Sequence, residues 1–116
     1  MTETTHAAKI ADLNDRFRTQ GPASGIPGQI VLTRGIMDLP SRRLQQVLAS
    51  VQTFNDFQAG DDPYGEHDFG GIDIDGVGMV FWKIDYYAPD MEHGSEDPAD
   101  PSATVRVLTV MLASEY

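Results

Sequence analysis

The sequence predicts a single α+β domain, residues 1–116, in which two helices pack on one face of an antiparallel sheet of three to four strands. The first observation behind this prediction is a hairpin pattern over residues 66–87. β-Branched and aromatic residues flank Asp75-Gly76 on both sides, and this dipeptide is typical of a two-residue turn. The second observation is that apolar residues recur at spacings of three and four over residues 5–20 and 40–54, as in helices with one buried face. A chain of 116 residues is long enough for one such core.

The helices are predicted from these stripes and from the residues at their ends. The first spans Thr5–Gln20, because Ile10, Leu13 and Phe17 share one side and Gly21 is a stop signal. The second begins at Asp38-Leu39-Pro40, since proline is favoured in a first helical turn. Its apolar residues, at spacings of three and four, are Leu44, Val47, Leu48, Val51 and Phe54.

Four segments are predicted to form strands. Gln29–Arg34 is short, rich in β-branched residues and followed by Gly35. Glu66–Ile74 and Val77–Tyr87 form the hairpin. Thr104–Ala113 also has helix-compatible spacing, but its many β-branched residues favour a strand that is buried on both faces. The proline-rich segment between the last two strands, residues 88–103, is expected to be a long loop.

The turn sets the expected register of the hairpin. A two-residue type I′ turn, with positive φ at both Asp75 and Gly76, places Asp68 opposite Lys83 and Glu66 opposite Asp85. A four-residue loop would place Asp68 opposite Asp85 without moving any side chain to the other face, because the shift is even. One face then carries the expected core residues His67, Phe69, Val80, Trp82, Ile84 and Tyr86; the other carries Glu66, Asp68, Ile72, Ile74, Met79, Phe81, Lys83, Asp85 and Tyr87.

Charge is segregated along the chain. The net charge is −10, yet residues 1–54 are net +2, whereas residues 55–100 contain thirteen acidic residues and Lys83 as their one base. Such a surface argues against direct nucleic-acid binding, because phosphate contacts require Lys and Arg. It favours an interaction module for a basic protein partner. The acidic residues predicted to meet that partner are Asp61, Asp62, Asp90, Glu92, Glu96, Asp97 and Asp100.

A metal-dependent hydrolase is the alternative function. Glu66, Asp68, Asp85 and His93 are ligand types that suit Mg²⁺, Mn²⁺ or Ca²⁺, and the catalytic candidates are Glu66, His67, Asp68, Lys83 and Asp85. However, Glu66 and His67 point to opposite faces of a strand, and the chain lacks HExxH, an EF-hand loop and zinc-ligand spacing. We therefore expect no metal and no cofactor. The simpler expectation is an ionic cluster in which Arg106 bridges to Glu66, Asp68 or Asp85.

Five motifs resemble the domain-of-unknown-function family 3768 of small bacterial proteins. They are IVLTRG at Ile30–Gly35, DPYGEHDFG at Asp62–Gly70, WKIDYY at Trp82–Tyr87, DPADP at Asp97–Pro101 and RVLTVMLASEY at Arg106–Tyr116. The resemblance covers most of the chain except the first helix. It implies no reaction. It implies a genomic setting near plasmid and other mobile-element genes, and hence an accessory factor of a mobile element.

The remaining expectations concern location. No apolar run approaches the roughly 20 residues that span a bilayer, and the N-terminus lacks the pattern of a signal peptide. With no cysteine in the sequence, we expect a cytoplasmic protein without disulfides and without a membrane partner.

Overall fold

The computed structural model describes residues 5–116 as an α+β fold. In chain order, its helices and strands are α1 (His6–Gln20), β1 (Gly28–Leu32), α2 (Arg34–Met37), α3 (Ser41–Gln52), β2 (Phe69–Ile74), β3 (Gly78–Tyr87) and β4 (Val105–Leu112). Short 3₁₀ turns lie at Gly21–Ser24, Pro101–Ala103 and Ala113–Glu115. Within these residues, no helix is both long enough and apolar enough to cross a membrane.

The four strands form one mixed sheet in the order β1-β4-β3-β2. The hairpin β2–β3 and the pair β3–β4 are antiparallel, as predicted, but β1 runs parallel to β4. The prediction of an antiparallel sheet is therefore wrong for this one pair. Since residues 33–104 separate β1 from β4, no local turn links the two strands, and their relative direction follows from the path of the chain through the helices and the hairpin.

Both predicted helical stripes lie in the core. Helix α1 begins after Thr5, whose hydroxyl oxygen accepts a hydrogen bond from the Ala8 amide at 3.1 Å, and ends at Gly21 with φ +56°. Its Leu13 and Phe17 join one apolar cluster with Val47 of α3. The strands contribute residues that alternate along each strand, as the pleat requires: Val80, Trp82 and Ile84 from β3, and Leu108 and Val110 from β4.

Helix α2 is absent from the sequence prediction, which extended the strand to Arg34. The strand ends earlier, at Leu32, because Glu115 holds the next residues in a turn. Its carboxylate accepts hydrogen bonds from the Thr33 hydroxyl at 2.6 Å and the Gly35 amide at 2.9 Å. A Cβ at Gly35 would lie 2.6 Å from the end of the Leu112 side chain, so a larger residue here would require the surrounding side chains to move. The deciding contacts thus come from the far end of the chain.

The hairpin turn has three residues, Asp75 to Val77, rather than two. The Val77 amide donates to the Ile74 carbonyl at 2.9 Å, and Gly76 has φ +79° whereas Asp75 does not have positive φ. Positive φ at the third turn position alone is the pattern of a type II turn, not of the predicted type I′ turn.

This odd loop length moves every β2 side chain to the other face from the one predicted. Phe69 pairs with Lys83 and Ile72 with Val80. Ile74 is consequently buried with the core, and Phe69 lies against Phe81 on the face away from the helices. The faces predicted for β3 are correct, because Val80, Trp82 and Ile84 are all buried.

Candidate functional site

An open depression lies beside the β2–β3 hairpin, where Lys83 and Asp85 project from β3. Its volume is about 410 Å³. We refer to it as the acidic depression; its lining is Gly60, Asp61, Pro63, Tyr64, Asp68, Phe69, Lys83, Ile84, Asp85 and Tyr116. Three of the predicted hydrolase candidates, Asp68, Lys83 and Asp85, are therefore brought together here with Asp61 from the predicted interaction set.

The depression holds more negative than positive charge. Lys83 Nζ lies 2.9 Å from Asp85 Oδ2, and this hydrogen bond is the main cause that raises the pKa of Lys83. Asp61 is exposed, and Asp68 is partly buried. Loss of water around Asp68 is the main cause that raises its pKa, followed by repulsion from Glu66. The depression thus contains three carboxylates, Asp61, Asp68 and Asp85, and one ammonium group, which pairs with Asp85. Its surplus of negative charge would attract a further cation.

Two exposed aromatic rings stand at the edge of these carboxylates. Tyr64 and Tyr116 are 79% and 74% exposed. Tyr116 packs edge-on against Phe69 and Phe81, at centroid distances of 6.0 and 5.5 Å, so its position is supported from below. Carboxylate oxygens combined with aromatic faces are the groups that bind guanidinium and ammonium side chains.

Glu66 and His67 point away from the depression, toward helix α1. Glu66 Oε1 accepts a hydrogen bond from the Tyr86 hydroxyl at 2.9 Å. His67 Nδ1 lies 2.9 Å from an Asp15 carboxylate oxygen, and its ring stacks on Phe57 with 3.8 Å between centroids. Glu66 and His67 therefore do not line the depression, although Glu66 is near enough to Asp68 to repel its carboxylate. His67 has φ +57°, which ends the strand alternation on which the sequence prediction relied.

Arg106 is fully buried, and the predicted salt bridge is wrong. Its Nε donates to Asn14 Oδ1 at 2.7 Å and its Nη2 donates to the Pro98 carbonyl. Strand β4 lies next to β3, and Tyr86 pairs with Arg106. That pairing also puts Arg106 on the helix-covered face, away from Asp85, where burial lowers its pKa. The Tyr86 hydroxyl completes the network, and burial raises the pKa of Tyr86 well above its ordinary value.

A second buried arginine, Arg18, was missed by the sequence prediction. Its side chain is 2% exposed. It donates to the Val51 carbonyl at 2.8 Å and lies 4.9 Å above the Trp82 ring. The available signal was spacing: Asn14 and Arg18 are four residues apart, directly beside the apolar stripe of α1, and residues at that spacing share a helix face.

The acidic residues of the predicted interaction set differ in their exposure and in their contacts within the protein. Asp62 is buried and accepts a hydrogen bond from the His67 amide. Asp97 lies 3.1 Å from His6, and Asp100 accepts a hydrogen bond from the Ser102 amide. Asp61, Asp90, Glu92 and Glu96 are exposed. Asp62, Asp97 and Asp100 are therefore engaged in contacts within the protein.

Within residues 5–116, one group of carboxylates and imidazoles offers ligand atoms within 4.8 Å of one another: Asp90, Glu92 and His93. All three are exposed. Asp90 already accepts hydrogen bonds from the Glu92 and His93 amides and contacts His93 Nδ1 at 2.7 Å. These bonds lower the pKa of Asp90. They describe an aspartate-centred turn, and they account for the cluster without an ion.

We predict that Asp68→Asn stabilises the protein at neutral pH. A carboxyl whose pKa is raised on folding destabilises the folded state as pH rises from its unfolded toward its folded pKa, and asparagine cannot ionise. The variant should melt at a higher temperature than the parent at neutral pH, and this difference should vanish below pH about 4, where Asp68 is protonated in both states.

The matched control is Asp73→Asn, which removes one negative charge from an exposed position on β2. It should change the melting temperature less than Asp68→Asn does. If Asp68→Asn melts at or below the parental temperature at neutral pH, ionised Asp68 does not destabilise the folded state.

The fold and site together define the class: a small α+β protein with a mixed four-stranded sheet and an acidic, aromatic-edged depression on its hairpin. Residues 32–115 match the family described as protein of unknown function (DUF3768). This range covers most of the chain, so the protein belongs to that family. Neither a curated protein nor a solved structure matches the chain.

Proposed function

We propose that the protein is a non-enzymatic interaction module that binds a basic protein partner through the acidic depression. The observation that carries the proposal is the surplus of carboxylates in the depression beside exposed tyrosines. A lysine or arginine side chain from a partner would meet Asp61 and Asp68 and could stack on Tyr64 or Tyr116. Burial is the main cause of the raised pKa of Asp68, and such a cation would offset the second cause, repulsion from Glu66.

Ionised Asp68 would then lower the stability of the fold but favour the binding of a cation. A half-buried carboxylate repelled by its neighbours disfavours folding, whereas the same carboxylate gains from an incoming cation. Ionisable groups with shifted pKa values are frequent at functional sites. The exposed acids of the 88–103 loop, Asp90, Glu92 and Glu96, would add longer-range attraction that speeds the encounter and weakens with salt.

We further propose a biological setting for this interaction. A nucleic-acid-binding protein of a mobile element has the basic surface that the depression would bind, and an accessory role in the cytoplasm would follow. Support for this setting comes from the family resemblance and the absence of cysteine, not from the geometry of the site.

We expect a fluorescent arginine-rich peptide to bind the wild-type protein with a dissociation constant that rises with salt. The double variant Asp61→Asn/Asp68→Asn should weaken binding about tenfold or more, since two charged contacts to the peptide are removed. The measurement is fluorescence anisotropy at low and physiological ionic strength.

The control is Asp73→Asn/Asp75→Asn, which removes the same charge from exposed positions on the hairpin. It should leave the dissociation constant within about twofold, a free-energy change of less than about 0.5 kcal/mol. Equal weakening by both double variants would mean that net charge, and not the depression, attracts the peptide. Absence of any binding would also contradict the proposal.

A further inference from the structure

An apolar cavity of about 200 Å³ lies between the sheet and the helices, and we call it the helix–sheet cavity. Ile30 and Leu32 of β1 and Leu108 and Val110 of β4 form its wall on the sheet side. These residues occupy paired positions, since Ile30 pairs with Leu108 and Leu32 with Val110. The cavity therefore extends over the half of the sheet that contains β1, and it shares no residue with the acidic depression.

Helices α1 and α3 supply the opposite wall of the cavity. Leu48 and Val51 belong to α3, and α1 contributes residues of its last turn. Gln20, Ile30 and Gln52 also line the cavity and are exposed, Ile30 at 46%. The cavity is thus open to solvent beside β1, so a small molecule could enter without separating the helices from the strands.

Arg18 is the charged residue of this lining, and its side chain is 2% exposed. Its Nη1 donates to the Val51 carbonyl at 2.8 Å, and its Nη2 donates to Asp15 Oδ1 at 3.2 Å. Its Nε is buried, and no hydrogen-bond acceptor within residues 5–116 contacts it. A buried donor without an acceptor is costly, so a ligand that supplies an acceptor here would gain a hydrogen bond as well as apolar contacts.

The charge of Arg18 is compensated only in part. Asp15 also lies 2.9 Å from His67 Nδ1, and its side chain is 39% exposed, so His67 and water share this carboxylate with Arg18. The Arg18 guanidinium carbon lies 4.9 Å above the ring of Trp82, which pairs with Val110. The positive charge is therefore at the end of the cavity away from β1.

The acidic residues of the protein do not oppose an anion in this cavity. Within residues 5–116, no aspartate or glutamate lines it. The acidic loop 88–103 leads into the start of β4 at Val105, whereas the cavity is lined by later residues of that strand, Leu108 and Val110. An anion that enters beside β1 thus meets apolar side chains and then Arg18.

We propose that the helix–sheet cavity binds a small monocarboxylate, with its carboxylate at Arg18 and its apolar body against Leu32, Leu48 and Leu108. The volume sets the size of this ligand. A cavity of about 150 Å³ holds benzene, and drug-sized ligands occupy about 300 Å³ or more, so an apolar body of about six carbon atoms fits. Removing the carboxylate from water opposes binding, and its charge-assisted hydrogen bond to an already buried cation offsets that cost.

Hexanoate, 1-hexanol and hexylamine test the proposal on the wild-type protein, because they share one chain and differ in the head group. Hexanoate should cause saturable chemical-shift changes at the amides of Arg18, Leu48 and Val110. It should also raise the melting temperature, since it binds the folded state. The dissociation constants of hexanol and hexylamine should be at least about tenfold higher than that of hexanoate.

Two variants separate the contributions of charge and space. Arg18→Met removes the cation and should abolish the preference for hexanoate over hexanol. Arg16→Met is the matched control, because Arg16 belongs to the same helix and its side chain is 51% exposed, and it should retain the preference. Leu48→Phe, which fills the cavity from α3, should weaken hexanoate binding about tenfold or more, and it tests the site even if Arg18→Met does not fold.

Three results would overturn the proposal. The first is the absence of saturable hexanoate binding to the wild-type protein, and the second is equal binding of hexanoate and hexylamine. The third is a set of shifts confined to exposed arginines such as Arg34 and Arg42, which would show attraction to surface charge only. A preference for hexanoate that persists in folded Arg18→Met would likewise contradict the role of Arg18 as the partner of the carboxylate.

Discussion

Trp82→Ala is expected to lower the free energy of unfolding by about 3–5 kcal/mol, the range seen when a large buried aromatic side chain is truncated. Trp82 is fully buried at the centre of β3. Phe54 and Phe57 pack edge-on against it, at centroid distances of 5.5 and 6.2 Å. Gly70 of β2 lies so close that a Cβ there would be 2.4 Å from the Trp82 indole nitrogen. The surroundings are thus fitted to this ring.

Chemical denaturation measures this loss. Trp82→Phe is the matched variant, because it keeps an aromatic ring and should lose less than half as much. An alanine variant that unfolds at the same denaturant concentration as the parent would contradict the placement of Trp82 in the core.

Arg106→Ala is expected to cost about 3–5 kcal/mol as well, though for a different reason. The change leaves a cavity between β4 and α1. It also leaves the buried Asn14 side-chain oxygen without this donor, at about 1–3 kcal/mol, and removes the donor to the partly buried Pro98 carbonyl, which costs less. The guanidinium carbon lies 5.3 Å above the Tyr86 ring, so that contact is lost too. Removal of a desolvated charge offsets part of the total.

Arg106→Met separates these contributions. Methionine refills most of the volume without a buried charge, so its cost should be smaller than that of alanine. Arg34→Ala, at a side chain that is 92% exposed, should leave the free energy of unfolding unchanged. Equal behaviour of the Arg106 and Arg34 alanine variants would show that Arg106 is not an internal anchor.

Short-range patterns predicted most of the elements. The stripe of Ile10, Leu13 and Phe17 and the β-branched run of β4 each specified an element, because the apolar period is a property of the segment itself. The same reasoning placed Trp82 in the core. Helix α2 could not be found in this way, because Glu115, eighty residues later, fixes its first turn.

The faces of β2 were mispredicted because a single residue of turn length decides them. Asp75-Gly76 favours a two-residue turn locally, yet the structure uses three residues. Gly76 there lies against the Arg43 guanidinium of α3, and a Cβ would be 2.5 Å from it. A helix distant in sequence therefore contacts the turn, and this contact leaves no trace in the hairpin sequence.

The candidate site was predicted in part. Asp68, Lys83 and Asp85 were expected to be neighbours, and they share one depression with Asp61. Tyr64 and Tyr116 did not enter the prediction, since one belongs to a loop and the other is the last residue of the chain. Nothing in their local sequence indicates that the fold brings them to the same place.

A map of backbone amide chemical shifts during titration with an arginine-rich peptide tests the proposed function most directly. We expect saturable shifts centred on the acidic depression, at Asp61, Asp68, Lys83, Asp85 and Tyr116, with small changes elsewhere. Shifts confined to the 88–103 loop, or spread evenly over every exposed acid, would contradict the assignment of the depression as the binding site.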